Sequence, residues 1–325
     1  MAHTPTMLAA AAPFMPEATG VDPALDALLA GLQAHPARID PKYLYDALGS
    51  SLFAAITQLP EYYPTRCEAE IFATHLEAIA RHTGPVRTLI DLGAGDCAKA
   101  ERLLPCLRPQ RYVPIDISTD FLGQAVARVR RAHPWLDVLP LGRDLNAGLD
   151  LPEAIDAQGR LFFYPGSSIG NLDPDAALAL LASLRAQAGV SGGLLIGVDR
   201  VKARAIVEPA YDDALHLTGA FNLNLLRHVN SVLGSDFDVR DWTHVALYNE
   251  PRSRMEMHLQ ARSDIRVRWP GGQRRFQADE RIHTENSYKY TIERFVDLLR
   301  RRAGYGDIRY WSDARDWFSV FSARA

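Results

Sequence analysis

Apolar and polar positions change period along this chain. From residue 88 onward, short apolar runs of strand length at 88–92, 111–117, 136–141, 161–164 and 193–198 are separated by stretches whose apolar residues recur at helical spacing. That alternation predicts an α/β fold on a doubly wound parallel sheet. The helix after the fourth run is the most sharply marked, with Asp173 at its N-cap, Pro174 at the first helical position and Gly189 to close the end. Ahead of the sheet, helical patterns cover 23–32 and an element carrying Tyr43, Leu44, Leu48, Leu52, Phe53 and Ile56. An aromatic segment, 61–66, then leads into a helix at 68–79. Beyond Asp199 the pattern changes to a long helical stretch over 211–233, in which Tyr211 and Thr218, seven apart, would share a face. A segment at 242–249, a strand at 255–261, a hairpin around Gly271-Gly272, a helix at 291–302 and a strand-like 317–321 follow. We therefore expect a mobile tail at 1–20, a helical segment at 21–80, a sheet domain made of 81–199 and 286–325, and an inserted lobe at 200–285.

In such sheets ligands bind beyond the carboxyl ends of the strands. The residues to watch are Asp91, Gly93, Asp116, Asp144, residues 166–171 and Asp199. Leu89-Ile90-Asp91-Leu92-Gly93-Ala94-Gly95-Asp96 ends an apolar run on an acid and opens into two glycines, and a helical pattern starts at Ala98. Glycine here permits positive φ and lets a ligand lie against bare backbone, while a helix N-terminus offers unpaired N–H groups to an anionic end. The third glycine of the dinucleotide fingerprint is replaced by Ala98. Asp116 stands where it could take both hydroxyls of a ribose, and Asp144 where an adenine amino group could be held. A compact adenosine ligand without pyrophosphate, such as S-adenosylmethionine (SAM), fits better than NAD. Helix capping is the competing role for both acids.

Composition narrows the partners. The 325 residues carry a formal net charge of -3, with no like-charge run beyond Arg300-Arg301-Arg302, so no nucleic-acid partner is expected. Cys67, Cys97 and Cys106 show no metal-ligand spacing and suit a reducing compartment. No apolar run is long enough for a membrane span, and the first twenty residues lack the pattern of a signal peptide. A cytoplasmic monomer, needing no metal and no membrane partner, is the expectation.

Several separate motifs then coincide. Tyr45-Asp46-Ala47-Leu48-Gly49-Ser50 precedes Leu59-Pro60-Glu61-Tyr62-Tyr63-Pro64-Thr65-Arg66. The glycine turn with Lys99 is followed by Gly166-Ser167-Ser168-Ile169-Gly170-Asn171, Tyr211-Asp212-Asp213, Phe221-Asn222-Leu223-Asn224, Arg254-Met255-Glu256-Met257 and Thr284-Glu285-Asn286-Ser287-Tyr288-Lys289. Together, from about Tyr45 to the C-terminus, they resemble the histidine-specific Nα-methyltransferases of ergothioneine biosynthesis, a family of Rossmann-like class I SAM-dependent methyltransferases. The resemblance implies three methyl transfers from SAM to the α-amine of L-histidine, giving the betaine hercynine. It implies that Gly93, Lys99, Asp116, Asp144 and Leu145 surround the cofactor, with Tyr62 between cofactor and substrate. Asn171 and Tyr211 would grip the amino and carboxylate ends, Glu285 and Ser287 would address the imidazole, and Tyr45, Thr218 and Met257 would line the same pocket. Tyr62 and Asn171 are thus the catalytic candidates, and 200–285 the substrate-binding lobe. Two positions depart from the family pattern: Ser168 where Thr is frequent, and Leu145 where an aromatic is common.

The chemistry asks for such residues. Methyl transfer from a sulfonium is an in-line displacement on a neutral amine, dominated by positioning. The quaternary product can be met only by dispersion and cation–π attraction, a duty that suits Tyr62 and Tyr63. Glu285 and Ser287, two apart in an extended segment, point the same way and can satisfy both ring nitrogens of an imidazole. The alternatives are an N-methyltransferase acting on another amino acid or an indole amine, a SAM sensor without turnover, and an NAD oxidoreductase.

Overall fold

A computed structural model describes residues 23–145 and 148–325; the 1–20 tail lies outside the described residues. The apolar runs fold as strands Thr88–Leu92, Arg111–Asp116, Arg160–Tyr164 and Gly193–Asp199. The run at 136–141 splits into Asp137–Val138 and Leu141–Gly142, both paired with Arg111–Asp116. Pro140 lies between the two pieces and has no N–H to give the ladder.

Across the main sheet the strands run Ile308–Ser312, Phe318–Arg324, Gly193–Asp199, Arg160–Tyr164, Thr88–Leu92, Arg111–Asp116 and Asp137–Val138. All are parallel except Phe318–Arg324, which is antiparallel to both neighbours. Strand order reverses at Thr88–Leu92 beside Arg160–Tyr164, and a ligand crevice opens at such a point. Every residue of Thr88–Leu92 and Gly193–Asp199 is buried, as befits strands covered on both faces. Alternate side chains serve opposite cores. Ile90, Phe162, Leu194 and Ile196 point into one, and Leu89, Leu161, Phe163 and Leu195 into the other.

The second core continues into the lobe without a break, through Met255, Met257, Leu259 and Trp242. There Trp242–Asn249, Arg254–Ala261 and Arg281–Tyr288 form an antiparallel sheet, joined by Ala37–Arg38 from the N-terminal segment as a parallel edge. The N-terminal helix Ala47–Ile56 is tied to the lobe by Asp46, whose carboxylate accepts from its own helix at Gly49 N and from Asn224 Nδ2, both at 2.7 Å. The described N-terminal segment and the lobe are thus joined by a side-chain hydrogen bond and by a shared sheet.

The helix expected over 211–233 spans only Leu217–Leu233. Asp213 caps its start, accepting from the backbone N–H groups of Leu215 and Leu217 at 3.0 Å and of Thr218 at 2.8 Å, and His216 leaves the helical path at φ 56°. Tyr211 therefore lies in the preceding turn and shares no helix face with Thr218. Helix Tyr63–Thr83 begins five residues before the expected 68, with Pro64 in its first turn.

Candidate active site

A cavity lies where the crevice, the lobe and the N-terminal segment meet. Tyr45, Tyr62, Asn171, Tyr211, Thr218, Met257, Glu285 and Ser287 all line it. Phe53, Ile56, Ala210 and Phe221 complete the apolar wall. Of these, Phe53 and Ile56 carry no sequence signal beyond helical periodicity. Tyr45 stands edge-on to Phe53 and Phe221, and Tyr62 edge-on to Phe53, so four aromatic rings form one side of the pocket.

The opposite side is polar. Asn171 ends the short turn Ser168–Asn171, and its amide donates to Glu285 Oε1 at 3.1 Å. That contact depends on Gly170, where a Cβ would stand 2.8 Å from the Tyr288 carbonyl oxygen. Glu285 and Ser287 sit two apart on Arg281–Tyr288 and are both buried facing the cavity. Burial pushes the Glu285 carboxyl from its ordinary 4.5 up to about 7, against the opposing pull of Lys289 and of the Asn171 hydrogen bond. Burial likewise holds the hydroxyls of Tyr45, Tyr62 and Tyr211 well above their ordinary range, so they remain protonated donors.

Adjacent tyrosines part company here. Tyr62 faces the cavity, whereas Tyr63 is buried on the other side of the helix start, donating to Asp199 at 2.8 Å and packing on Trp317. The expectation that Tyr63 helps to receive a quaternary ammonium is thereby corrected: one residue further into a helix is a turn of about 100°.

The strand-end residues gather beside this pocket. Gly93 and Gly95 adopt φ of 70° and 52°, and nothing lies within 4 Å of where a Cβ would project, so bare backbone faces open space. Asp116 is pinned by the backbone N–H groups of Gly95 at 2.8 Å and Ser118 at 2.9 Å. Ser118 also donates through its hydroxyl to the Tyr45 carbonyl at 3.0 Å, tying this end to the pocket wall. Lys99 pairs with buried Glu68 at 2.7 Å, whose other oxygen accepts from Gly166 N at 2.8 Å. Glu68 carried no signal in the sequence beyond helical spacing. Asp144 pairs with Lys42 at 3.3 Å. Leu145 is half-buried and packs with Leu139 and Leu141 against the core that holds Ile90, outside the residues lining the cavity. Among the described residues no group of His, Cys, Asp and Glu is arranged to hold a metal ion, and no helix is long and apolar enough to cross a membrane.

A parallel sheet with one reversed strand, an open glycine turn and a pinned acid ending the next strand define the Rossmann-like class of SAM-dependent methyltransferases. Within it, the chain belongs to the family of histidine-specific, SAM-dependent methyltransferases, which it matches over residues 24–325. It is 37% identical to the histidine N-alpha-methyltransferase of Mycolicibacterium smegmatis over 297 residues, covering 90% of this chain and 91% of that protein. The protein of the same description from Mycobacterium tuberculosis is also 37% identical, over 89% of this chain and 91% of its own length. The N-methyltransferase imqF of Aspergillus flavus is 27% identical over 88% and 80%.

Proposed function

We propose that this protein transfers methyl groups from SAM to the α-amine of L-histidine, three in succession, giving hercynine as the first step of ergothioneine biosynthesis. The observation that carries the substrate is the polar wall: Glu285 and Ser287 side by side on one buried strand face, with Asn171 hydrogen-bonded to Glu285. Carboxylate and hydroxyl there match the two nitrogens of an imidazole, and a site built to hydrogen-bond its substrate rejects side chains that leave those groups unpaired.

The open glycine turn and the pinned Asp116 fit SAM, and Gly93, Lys99, Asp116 and Asp144 would hold it. When bound, SAM supplies an electrophilic methyl on a sulfonium. The protein's part is to present the amine. Asn171, whose N–H is committed to Glu285, would turn its carbonyl oxygen to the amine, and Tyr211 would hold the carboxylate. Tyr62 lies in the same cavity and, being protonated, would orient the amine rather than take its proton. As N–H donors are replaced by methyls, the rings of Tyr45, Phe53, Tyr62 and Phe221 would take over, each cation–π contact contributing roughly 0.5–2 kcal/mol. On this reading 200–285 is the substrate-binding lobe and 21–80 closes the pocket. The three cysteines, all free thiols, go with a reducing cytoplasmic setting.

Purified protein given SAM and L-histidine should yield mono-, di- and trimethylhistidine by mass. Turnover of another amino acid or an indole amine, with histidine untouched, would replace this reading.

A further inference from the structure

Among the described residues that line the cavity there is no lysine, arginine or histidine, and one acid, Glu285. An amino acid would bring a carboxylate into this space, and a carboxylate taken out of water needs an opposite charge or several donors. Lys99 comes near, beside Gly166, where a Cβ would stand 2.8 Å from its Nζ, but buried Glu68 matches it one to one. A second source of charge lies behind the polar wall. There Asp199, at the end of Gly193–Asp199, is shared by two ammonium groups, Lys202 at 2.5 Å on one oxygen and Lys289 at 2.7 Å on the other. Although burial works to raise it, the two lysines hold the Asp199 carboxyl below its ordinary range. One carboxylate for two lysines leaves the trio with one positive charge. Tyr63 donates its hydroxyl to Asp199 and adds no charge.

Lys289 is the member of the trio that reaches the pocket. Its side chain is fully buried, and besides Asp199 it donates to the Tyr211 and Ser287 hydroxyls at 2.8 Å each. Tyr211 itself donates to Ser287 at 2.7 Å. A phenol oxygen can accept from one partner while its proton goes to another. We propose that Lys289 is a positioning residue that supplies, through Tyr211, the positive charge for the substrate's carboxylate: the ammonium donates to the phenol oxygen, and the phenol proton swings from Ser287 to the carboxylate. Ser287 keeps Lys289 as its donor, so the swing leaves it paired. A chain of donors headed by a cation strengthens along its length. Holding that cation one side chain back also keeps it away from the sulfonium and from the quaternary ammonium of the product, which a lysine in the cavity would repel. The inference rests on the histidine reading above and adds what makes the site one for amino acids rather than for amines.

The test measures binding by calorimetry, with S-adenosylhomocysteine present, of L-histidine and of L-histidinamide, which keeps an acceptor oxygen and the imidazole but lacks the charge. Wild type should prefer histidine by about tenfold or more, as for a charge-assisted hydrogen bond set against a neutral one. Equal affinities would overturn the inference without any variant. Lys289→Met, in which Asp199 keeps Lys202 as a one-to-one partner, should cut that preference by about tenfold, mainly by weakening histidine. The same change made in a Tyr211→Phe background should cut it less, and an undiminished effect there would overturn the route through Tyr211. Equal losses on both ligands would mean that Lys289 only supports the fold, and would overturn the inference while leaving the histidine reading intact. A wild type that binds neither ligand would overturn both.

Discussion

Gly93, Asp116 and Asp144 come from three successive strand ends, remain partly exposed, and take partners from backbone N–H groups and a surface lysine. Across the same crevice, Tyr45, Asn171, Tyr211, Met257, Glu285 and Ser287 come from the whole length of the chain and meet in a pocket whose polar groups bond to one another. The first region is assembled by local geometry, each strand delivering its own last residue. The second exists only once the lobe has docked on the sheet through a shared apolar core. One end should therefore fail locally, through backbone shape, and the other electrostatically, through burial.

The largest effect should come from Gly93→Val. A side chain at φ 70°, projecting into the open approach, should weaken SAM binding by about 100-fold, read by calorimetry, without lowering the melting temperature by more than a few degrees. A variant that unfolds instead would show the turn to be integral to the core. Glu285→Gln should raise KM for histidine by about 10–100-fold, as for a hydrogen bond to a charged group, with SAM affinity unchanged. Equal loss of both ligands would erase the distinction between the two ends.

Burial makes a sharper contrast through pH. The Glu285 carboxyl titrates at about 7 in the fold and near 4.5 when exposed. Ionising it therefore costs stability, which is fully present below pH 4.5 and is lost as pH rises through 7. The shift corresponds to an upper limit of about 3 kcal/mol. Ligand-free Glu285→Gln should accordingly melt higher than wild type at pH 8 and equally at pH 4.5. The histidine KM of wild type should fall as pH rises through 7, because the acceptor is the carboxylate, and the variant's profile should be flatter. The smallest effect belongs to Lys42→Ala. Its pair with Asp144 is partly exposed and should contribute within about 1 kcal/mol, so SAM affinity should change less than about fivefold.

The strands, the glycine turn and the helix start after Asp173 were legible in the sequence because period and punctuation are local properties, although the Asp173 carboxylate accepts from the Tyr288 hydroxyl instead of capping the helix. The motifs also named most of the pocket, though spacing gave no account of why its members meet. Tyr211 and Thr218 show the limit: seven residues apart, they suggested one helix, but Asp213 satisfies the helix start with its own carboxylate and leaves Tyr211 in a turn. Both still line the cavity, for a tertiary reason.

What the sequence determined by itself is the alternation of strands and helices, and with it the crevice and the residues at its strand ends. Burial was decided only by the tertiary structure. It turned Tyr62 toward the pocket and Tyr63 toward Asp199, raised Glu285 to about 7, and set Lys289 beneath two hydroxyls. Protonation and hydrogen-bond direction depend on what excludes water from a group, and that is fixed by residues far away along the chain.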